Sequence, residues 1–257
     1  MKTVPRTRTL RLPAQKKGVV ASAVPIAVFE GCVASEFDRD TLAATRLLLE
    51  RLGHRVVTSN TTLCCGALPR HAGHASAADA ISGGTRRALE AIGTKKVVVS
   101  ASGCYGALAE NMRGSGTNVV DAAQCIADHL ALASLRFKPL QKRAALHLPC
   151  SQVNGSHSVD ATRALLSRIP GLTLIELPNQ PRCCGAAGSY FLEHPQIADD
   201  LRDQRLNQIE GPSQPPDLLL TSNIGCRIHL GNGLRERGST VPVLHPLTLL
   251  AQQLEME

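Results

Sequence analysis

The stretch RCCGAAGSYFLEHP, residues 182–195, sets two cysteines side by side and follows them with a glycine. The same device stands earlier, in LCCGALPRHAGH, residues 63–74. Adjacent cysteines bridge each other only through a strained eight-membered ring, so a structural disulfide is a poor account of either pair. Outward from the pairs, the other cysteines fall into step. Cys32, Cys64, Cys65 and Cys104 form one series, and Cys150, Cys183, Cys184 and Cys226 form a second. The first cysteine is separated from the pair by 31 residues in one series and 32 in the other, and the pair from the last cysteine by 38 and 41. Order and spacing kept this closely mark an internal duplication.

Each cysteine position follows a short apolar run that breaks into small or polar residues. In the first series these runs are IAVFEGC, VVTSNTTLCC and VVVSASGC; in the second they are AALHLPC, LTLIELPNQPRCC and LLLTSNIGC. Such bounded runs read as buried strands. Helical patterns lie between and after them: DRDTLAATRLLLERLG, AADAISGGTRRALEAIG, DAAQCIADHLALASL, DATRALLSRIPG and QIADDLRDQRLNQI. Strand–helix alternation predicts an α/β fold of two pseudo-repeated parallel-sheet halves. The cysteines then fall at the carboxyl ends of the strands, where open sheets bind ligands. The expected organisation is a basic flexible arm over 1–24, a first repeat over 25–140 and a second over 141–257.

Composition narrows the function. Of 257 residues, 43% are hydrophobic and only 2% aromatic, so aliphatic side chains must build the core. The net charge of +7 is concentrated in Lys2, Arg6, Arg8, Arg11, Lys16 and Lys17, which leaves +1 for residues 18–257. A nearly neutral body lacks the basic face that nucleic-acid binding requires. No run approaches the roughly 18 apolar residues of a membrane span. The N-terminal stretch has the look of an export signal, but Pro25 interrupts its apolar run, which leads straight into Cys32, so VPIAVFEGC is read as the first strand. Nine cysteines without an export signal point to metal or redox work in a reducing, cytoplasmic setting.

Four converging thiolates suit either a tetrahedral zinc ion or an iron–sulfur cluster. The knuckle spacing usual for zinc is absent, and adjacent cysteines reach two irons of a cluster more readily than one small ion, so the chemistry favours a cluster. A redox disulfide is the third reading. Gly66 and Gly185, after each pair, suit close approach of backbone N–H groups to sulfur.

The duplicated Cys…Cys-Cys-Gly…Gly-Cys pattern resembles the cysteine-rich CCG domain family, from about Pro25 to the C-terminus. That family includes the B-type subunit of heterodisulfide reductase, the iron–sulfur subunit of glycolate oxidase, the C-type subunit of anaerobic glycerol-3-phosphate dehydrogenase and lactate-utilisation protein A. TSNIGCRIHL and CCGAAGSYFLEHPQIADDLRDQRL look most like the glycolate oxidase type. The resemblance implies iron–sulfur clusters, one [4Fe-4S] per repeat, held by the eight cysteines of the two series. It also implies an electron-transfer subunit of a heterodisulfide reductase-like oxidoreductase, acting in thiol–disulfide or sulfur-compound redox chemistry. A glycolate- or lactate-oxidising complex is the first alternative; a zinc-binding or metal-free assembly scaffold is the second. In the B-type heterodisulfide reductase subunit each repeat ends Cys-x-x-Cys, whereas here Ala107 and His229 stand at the fifth cysteine positions. No C-x2-C-x2-C-x3-C-P run occurs, so the expected partners are a separate ferredoxin-like iron–sulfur subunit and a flavoprotein.

Other residues have plainer readings. Cys125, beside Ile126, is expected in the core. His229, three residues after Cys226, is a core histidine or a ligand or proton donor. His71 and His74 are expected to cap or line the next helix, with contact to a cluster or substrate as the alternative. His147 and His245 sit at the ends of predicted strands near the sulfur edge, with plain core roles as the equal reading. Tyr190 and Phe191 are expected to pack against the second site.

Overall fold

The computed structural model describes residues 25–178, 182–211 and 215–255; the expected basic arm lies outside them. The first half runs β1 (Pro25–Phe29), α1 (Ala34–Phe37), α2 (Arg39–Arg51), β2 (Arg55–Val57), α3 (Ala67–His71), α4 (Ala75–Ile92), β3 (Lys96–Val99), α5 (Ser102–Asn111), β4 (Asn118–Asp121) and α6 (Ala122–Ala127). The second half runs β5 (Lys142–Leu146), α7 (Val159–Leu166), β6 (Leu172–Glu176), α8 (Tyr190–Glu193), α9 (Pro195–Glu210), β7 (Leu218–Leu220), α10 (Ile224–Glu236), β8 (Val243–Leu244) and α11 (Pro246–Gln253). A π-helical turn at Gln152–Ser156 precedes α7.

Each half is one four-stranded sheet. The strand orders, β2-β1-β3-β4 and β6-β5-β7-β8, are the same arrangement, and every named pair is parallel. The expected α/β fold in two similar halves is therefore present. The short fourth strand of each sheet, β4 or β8, adds to the three that the cysteine-led runs identify. The pattern DAAQCIADHLALASL forms α6 and then a separate 3-10 turn at Leu130–Ser134, not one helix. The backbone leaves α6 at Asp128, and the His129 side chain caps the next turn through the Ala131 N–H.

Period-two alternation along the strands divides the core. Ile26 and Val28, Val98, Ala144 and Leu146, Leu218 and Leu220 turn inward to a core shared by both halves. There they meet Leu48 of α2, Ile126 of α6, Leu165 of α7 and Leu250 of α11, so these four helices form a common layer between the sheets. The intervening residues face outward. Ala27, Phe29, Val97 and Val99 pack beneath Leu89 and Leu108; Ala145 and Leu219 pack beneath Leu206 and Leu230. Successive side chains of a strand point to opposite faces, so one sequence run serves two cores.

Polar contacts tie the halves together. Asp121 caps α6, accepting from the Ala123 N–H at 2.9 Å, and reaches Ser156 and Ser158 of the other half. His245, its counterpart at the end of β8, caps α11 and reaches the Ser100 carbonyl. The Arg227 guanidinium crosses to the Phe37 carbonyl at 2.6 Å and to Asp38 at 3.0 Å, and the Thr41 and Thr248 hydroxyls meet at 3.0 Å.

Candidate metal centres

The two cysteine series form two sulfur groups, one at the carboxyl edge of each sheet. Cys32 follows β1, Cys64 and Cys65 precede α3, and Cys104 lies in the first turn of α5. Cys64 and Cys65 hydrogen-bond to each other and also reach different further partners. The Cys32 and Cys64 sulfurs are 3.4 Å apart and half-buried, while Cys65 hydrogen-bonds chiefly to Cys104 on the core side. The second half repeats the plan. Cys183 hydrogen-bonds to Cys150, the most exposed of the eight, and the Cys184 sulfur lies 2.7 Å from that of Cys226, both buried. Adjacent cysteines thus let one loop bridge an outer and an inner sulfur pair.

The glycines hold these loops. Gly66 and Gly185 have φ of +77° and +87°, in the left-handed region open to glycine. A Cβ on Gly66 would lie 2.9 Å from the Ala78 carbonyl oxygen of α4, and one on Gly185 only 2.2 Å from that of Ala198 in α9. The Gly185 N–H donates to the Cys183 sulfur at 3.3 Å, and the Gly66 N–H favours the Cys64 thiolate. In the first half the Thr85 hydroxyl brackets the loop, donating to the Cys64 carbonyl at 2.7 Å and accepting from its N–H at 3.2 Å. At the matching place in α9 stands the fully buried Arg205, whose guanidinium interacts electrostatically with Cys183 and Cys184.

Crowded sulfurs share protons, so each contact raises one thiol and lowers the other. Hydrogen bonding to Cys64 and Cys104, with burial, raises Cys32 and Cys65; the same bonds lower Cys64 and Cys104. Likewise Cys183 and Cys226 are raised, while Cys150 is lowered to about 6 by Cys183 and Cys184 is lowered by Cys226 and then by His147. Each group therefore contains two sulfurs biased toward thiolate, the form that binds metal. Four soft donors drawn together suit a thiophilic metal group, and these residues fit an iron–sulfur cluster.

The remaining sequence candidates divide cleanly. Cys125 lies in the shared core, remote in packing from both sulfur groups, and burial raises its thiol. His229 is fully buried, and its Nε2 lies 3.0 Å from the Ala198 carbonyl. Phe191 packs beside it, with ring centroids 5.3 Å apart, and Tyr190 packs on His194. His74 occupies the start of α4 without making a side-chain cap, and His71 ends α3, exposed, beside Gly188 of the second cysteine loop. His245 lies in the seam. His147 lies against Cys184 and Cys226: one ligand atom from each of the three falls within 4.8 Å of the others. Its place after a predicted strand and three residues before Cys150 was the available sequence signal.

The two sites adjoin one seam. Ser102, two residues before Cys104, takes an N–H bond to the Ser222 carbonyl at 3.2 Å and meets the Ser151 hydroxyl, next to Cys150, at 2.9 Å. Asn223 donates to that same hydroxyl at 3.0 Å while capping the helix that carries Cys226. Beside the second site, a cleft of about 440 Å³ is lined by Leu148, His157, Asp160, Arg163 and Glu176 among others. Its Arg163 is held by Glu176 and Asp160, which leaves little positive charge for an anion. Among the described residues no helix is long and apolar enough to cross a membrane.

Comparisons with known proteins agree with this arrangement. The chain is 33% identical over 250 residues to the glycolate oxidase iron-sulfur subunit of Escherichia coli, covering 90% of this chain and 58% of that protein. It is 28% identical to the B-type subunit of fumarate reductase (CoM/CoB) of Methanothermobacter marburgensis, covering 88% of this chain and 45% of that one. It is 26% identical to lactate utilization protein A of a Geobacillus species, covering 86% of this chain and 96% of that one. The chain thus spans about half the length of the first two relatives. Among solved structures, a hypothetical protein from Helicobacter pylori shares the fold at a TM-score of 0.57 and 12% identity, over 91% of this chain and 49% of that one. The profile of the cysteine-rich domain, CCG, matches twice, at residues 26–109 and 144–231, one match on each sulfur-bearing half. Two sheets of one plan, each with its own cysteine group and its own match, place this chain in the cysteine-rich CCG domain family.

Proposed function

We propose that this protein is an iron–sulfur electron-transfer subunit of a multi-subunit oxidoreductase. Cys32, Cys64, Cys65 and Cys104 hold one [4Fe-4S] cluster, and Cys150, Cys183, Cys184 and Cys226 hold the other. The observation that carries the reading is the gathering of eight dispersed cysteines into two four-sulfur groups beside one seam. When bound, such clusters supply one-electron storage and transfer.

The chain's own residues do the rest. The inner cysteines, Cys65 with Cys104 and Cys184 with Cys226, lie against apolar cores that exclude water. The Gly66 and Gly185 N–H groups hydrogen-bond to sulfur and so stabilise its negative charge. Exposed Cys150 marks the edge through which a partner exchanges electrons. Neither repeat carries the fifth cysteine of the B-type heterodisulfide reductase subunit, since Ala107 and His229 stand there. That weighs against direct disulfide reduction at these clusters, and the role proposed is a relay between a flavoprotein and a separate ferredoxin-like subunit, in a heterodisulfide reductase-like complex that handles thiols or sulfur compounds. The 33% identity to a glycolate oxidase subunit favours a second setting, a complex oxidising glycolate or lactate.

Iron and acid-labile sulfide analysis of anaerobically purified protein tests the reading. Two four-iron equivalents per chain support it; stoichiometric zinc, or a metal-free protein that still assembles with its partners, identifies a scaffold. Adding glycolate, lactate or a dithiol to the co-purified complex, and following cluster bleaching, separates the two settings.

A further inference from the structure

The sulfur groups are built alike, but one neighbour differs. Phe29 stands three residues before Cys32, and His147 three residues before Cys150, each where the first strand of its half ends. Phe29 is an ordinary core residue: it packs with the aliphatic side chains beneath the first sheet, and its ring lies against Gly31 beside Cys104. His147 is equally buried, with no exposed surface, yet it brings two polar ring nitrogens into the core. Its backbone N–H is fixed to the Leu220 carbonyl at 2.9 Å, so strand pairing holds the residue where it is.

Among the described residues neither ring nitrogen of His147 has a hydrogen-bond partner of ordinary geometry, and its one polar interaction is with the Cys184 sulfur, whose thiolate it favours. Buried polar atoms are almost always paired, and an orphan in a native core calls for an occupant. The nearest chemistry is the inner sulfur pair. One ligand atom each from His147, Cys184 and Cys226 lies within 4.8 Å of the others, the spacing of donors that share a single metal ion. Metal–nitrogen and metal–sulfur bonds of roughly 2.0–2.3 Å span such a triangle.

His229 does not fill this role. It lies on the same helix as Cys226 and its Nδ1 is also unpartnered, but its Nε2 is held by the Ala198 carbonyl and it is not among the donors gathered at Cys184 and Cys226. The nitrogen available to the second site comes from the end of β5.

We infer that His147 is a nitrogen ligand of the second metal centre, on the side of Cys184 and Cys226, whereas the first centre is held by sulfur alone. The inference rests on the cluster reading for the identity of the metal, but not for the ligand set. The two centres are then electronically distinct. Both centres keep their four cysteines, so what sets the second apart is a directly bonded nitrogen that the first lacks.

Pulsed electron paramagnetic resonance on iron-loaded protein, made with natural-abundance or 15N-labelled histidine, tests this directly. The expected result is a strongly coupled nitrogen in one of the two cluster signals, responsive to the label. His147→Phe, which copies the first half, should keep most of the iron while losing that coupling. His147→Gln repeats the test if the phenylalanine variant does not fold. Iron present without a coupled nitrogen in the wild-type protein overturns the assignment while leaving the cluster reading intact. Absence of iron and sulfide overturns the cluster reading instead, and Co2+ added alone to the metal-free protein then decides. A Co2+ centre with nitrogen coupling that His147→Gln abolishes supports the ligand; sulfur-only ligation, or no Co2+ binding, rejects it.

Discussion

His245, at the end of the last strand, lies with its Nε2 3.0 Å from the Ser100 carbonyl at the end of β3, across the seam between the halves. Its Nδ1 accepts from the Leu247 N–H at 3.0 Å, so the neutral ring carries its proton on Nε2 and donates it to Ser100. One side chain caps a helix of its own half and fastens the sulfur-bearing edge of the other. Burial lowers its pKa from 6.5 to about 3.

That depression makes the fold acid-sensitive. Above pH 6.5 the ring is neutral folded or unfolded, and the contribution is fully present. As pH falls from 6.5 toward 3 the unfolded chain takes a proton that the folded one refuses, and stability declines. A shift of this size is worth at most about 4–5 kcal/mol. Denaturant unfolding at pH 7.5 and pH 4.5 should show a smaller acid loss in His245→Asn than in wild type. Equal losses would remove His245 as the cause.

The Asp38–Arg227 pair also joins the halves, with both side chains almost wholly buried. Burial, partly offset by Arg227, raises Asp38 to about 6. Removing one member strands the other, so Arg227→Met should cost about 3–5 kcal/mol. Adding Asp38→Asn should recover part of the loss. Additive penalties in a double-mutant cycle would show that the two side chains do not interact.

The cysteine-loop glycines should rank by how much room they have. Gly185→Ala meets a carbonyl at 2.2 Å and Gly66→Ala one at 2.9 Å, both at positive φ. Backbone strain alone costs about 1–3 kcal/mol in each, with the added clash larger at Gly185. Gly84→Ala, inside α4 with nothing within 4 Å, should stabilise by about 0.5–1 kcal/mol. Melting temperatures should rise in the order Gly185→Ala, Gly66→Ala, wild type, Gly84→Ala.

Separate quartets predict separable losses. Cys65→Ser and Cys184→Ser should each remove roughly half of the bound iron, and the double variant nearly all of it, under the ligand limits of a four-cysteine cluster. A single variant that empties both sites, measured by iron and sulfide analysis, would show that the halves share one metal group.

Much of this was legible in the chain. Runs such as VVVSASGC and LLLTSNIGC declare strands because apolar residues bounded by small polar ones have few other ways to be buried. The fourth strands were harder to see: β8 is only Val243–Leu244 and carries no cysteine to mark it. Helix α6 stops early, although the apolar pattern continues through DHLALASL, because the His129 cap starts a new turn. Thr85 and Arg205 gave no signal, since each acts on a cysteine loop from a separate helix about twenty residues further on.

The sequence by itself determined the duplication, the alternation of strand and helix, and which sulfurs stand at strand ends. All of these are local matters of spacing and apolar pattern. Only the tertiary structure decided that adjacent cysteines reach different further partners, that His147 turns to the second sulfur group and His229 away from it, and that one core serves both sheets. Those outcomes depend on side chains far apart in the chain packing into one space, and no local pattern specifies which atoms then meet.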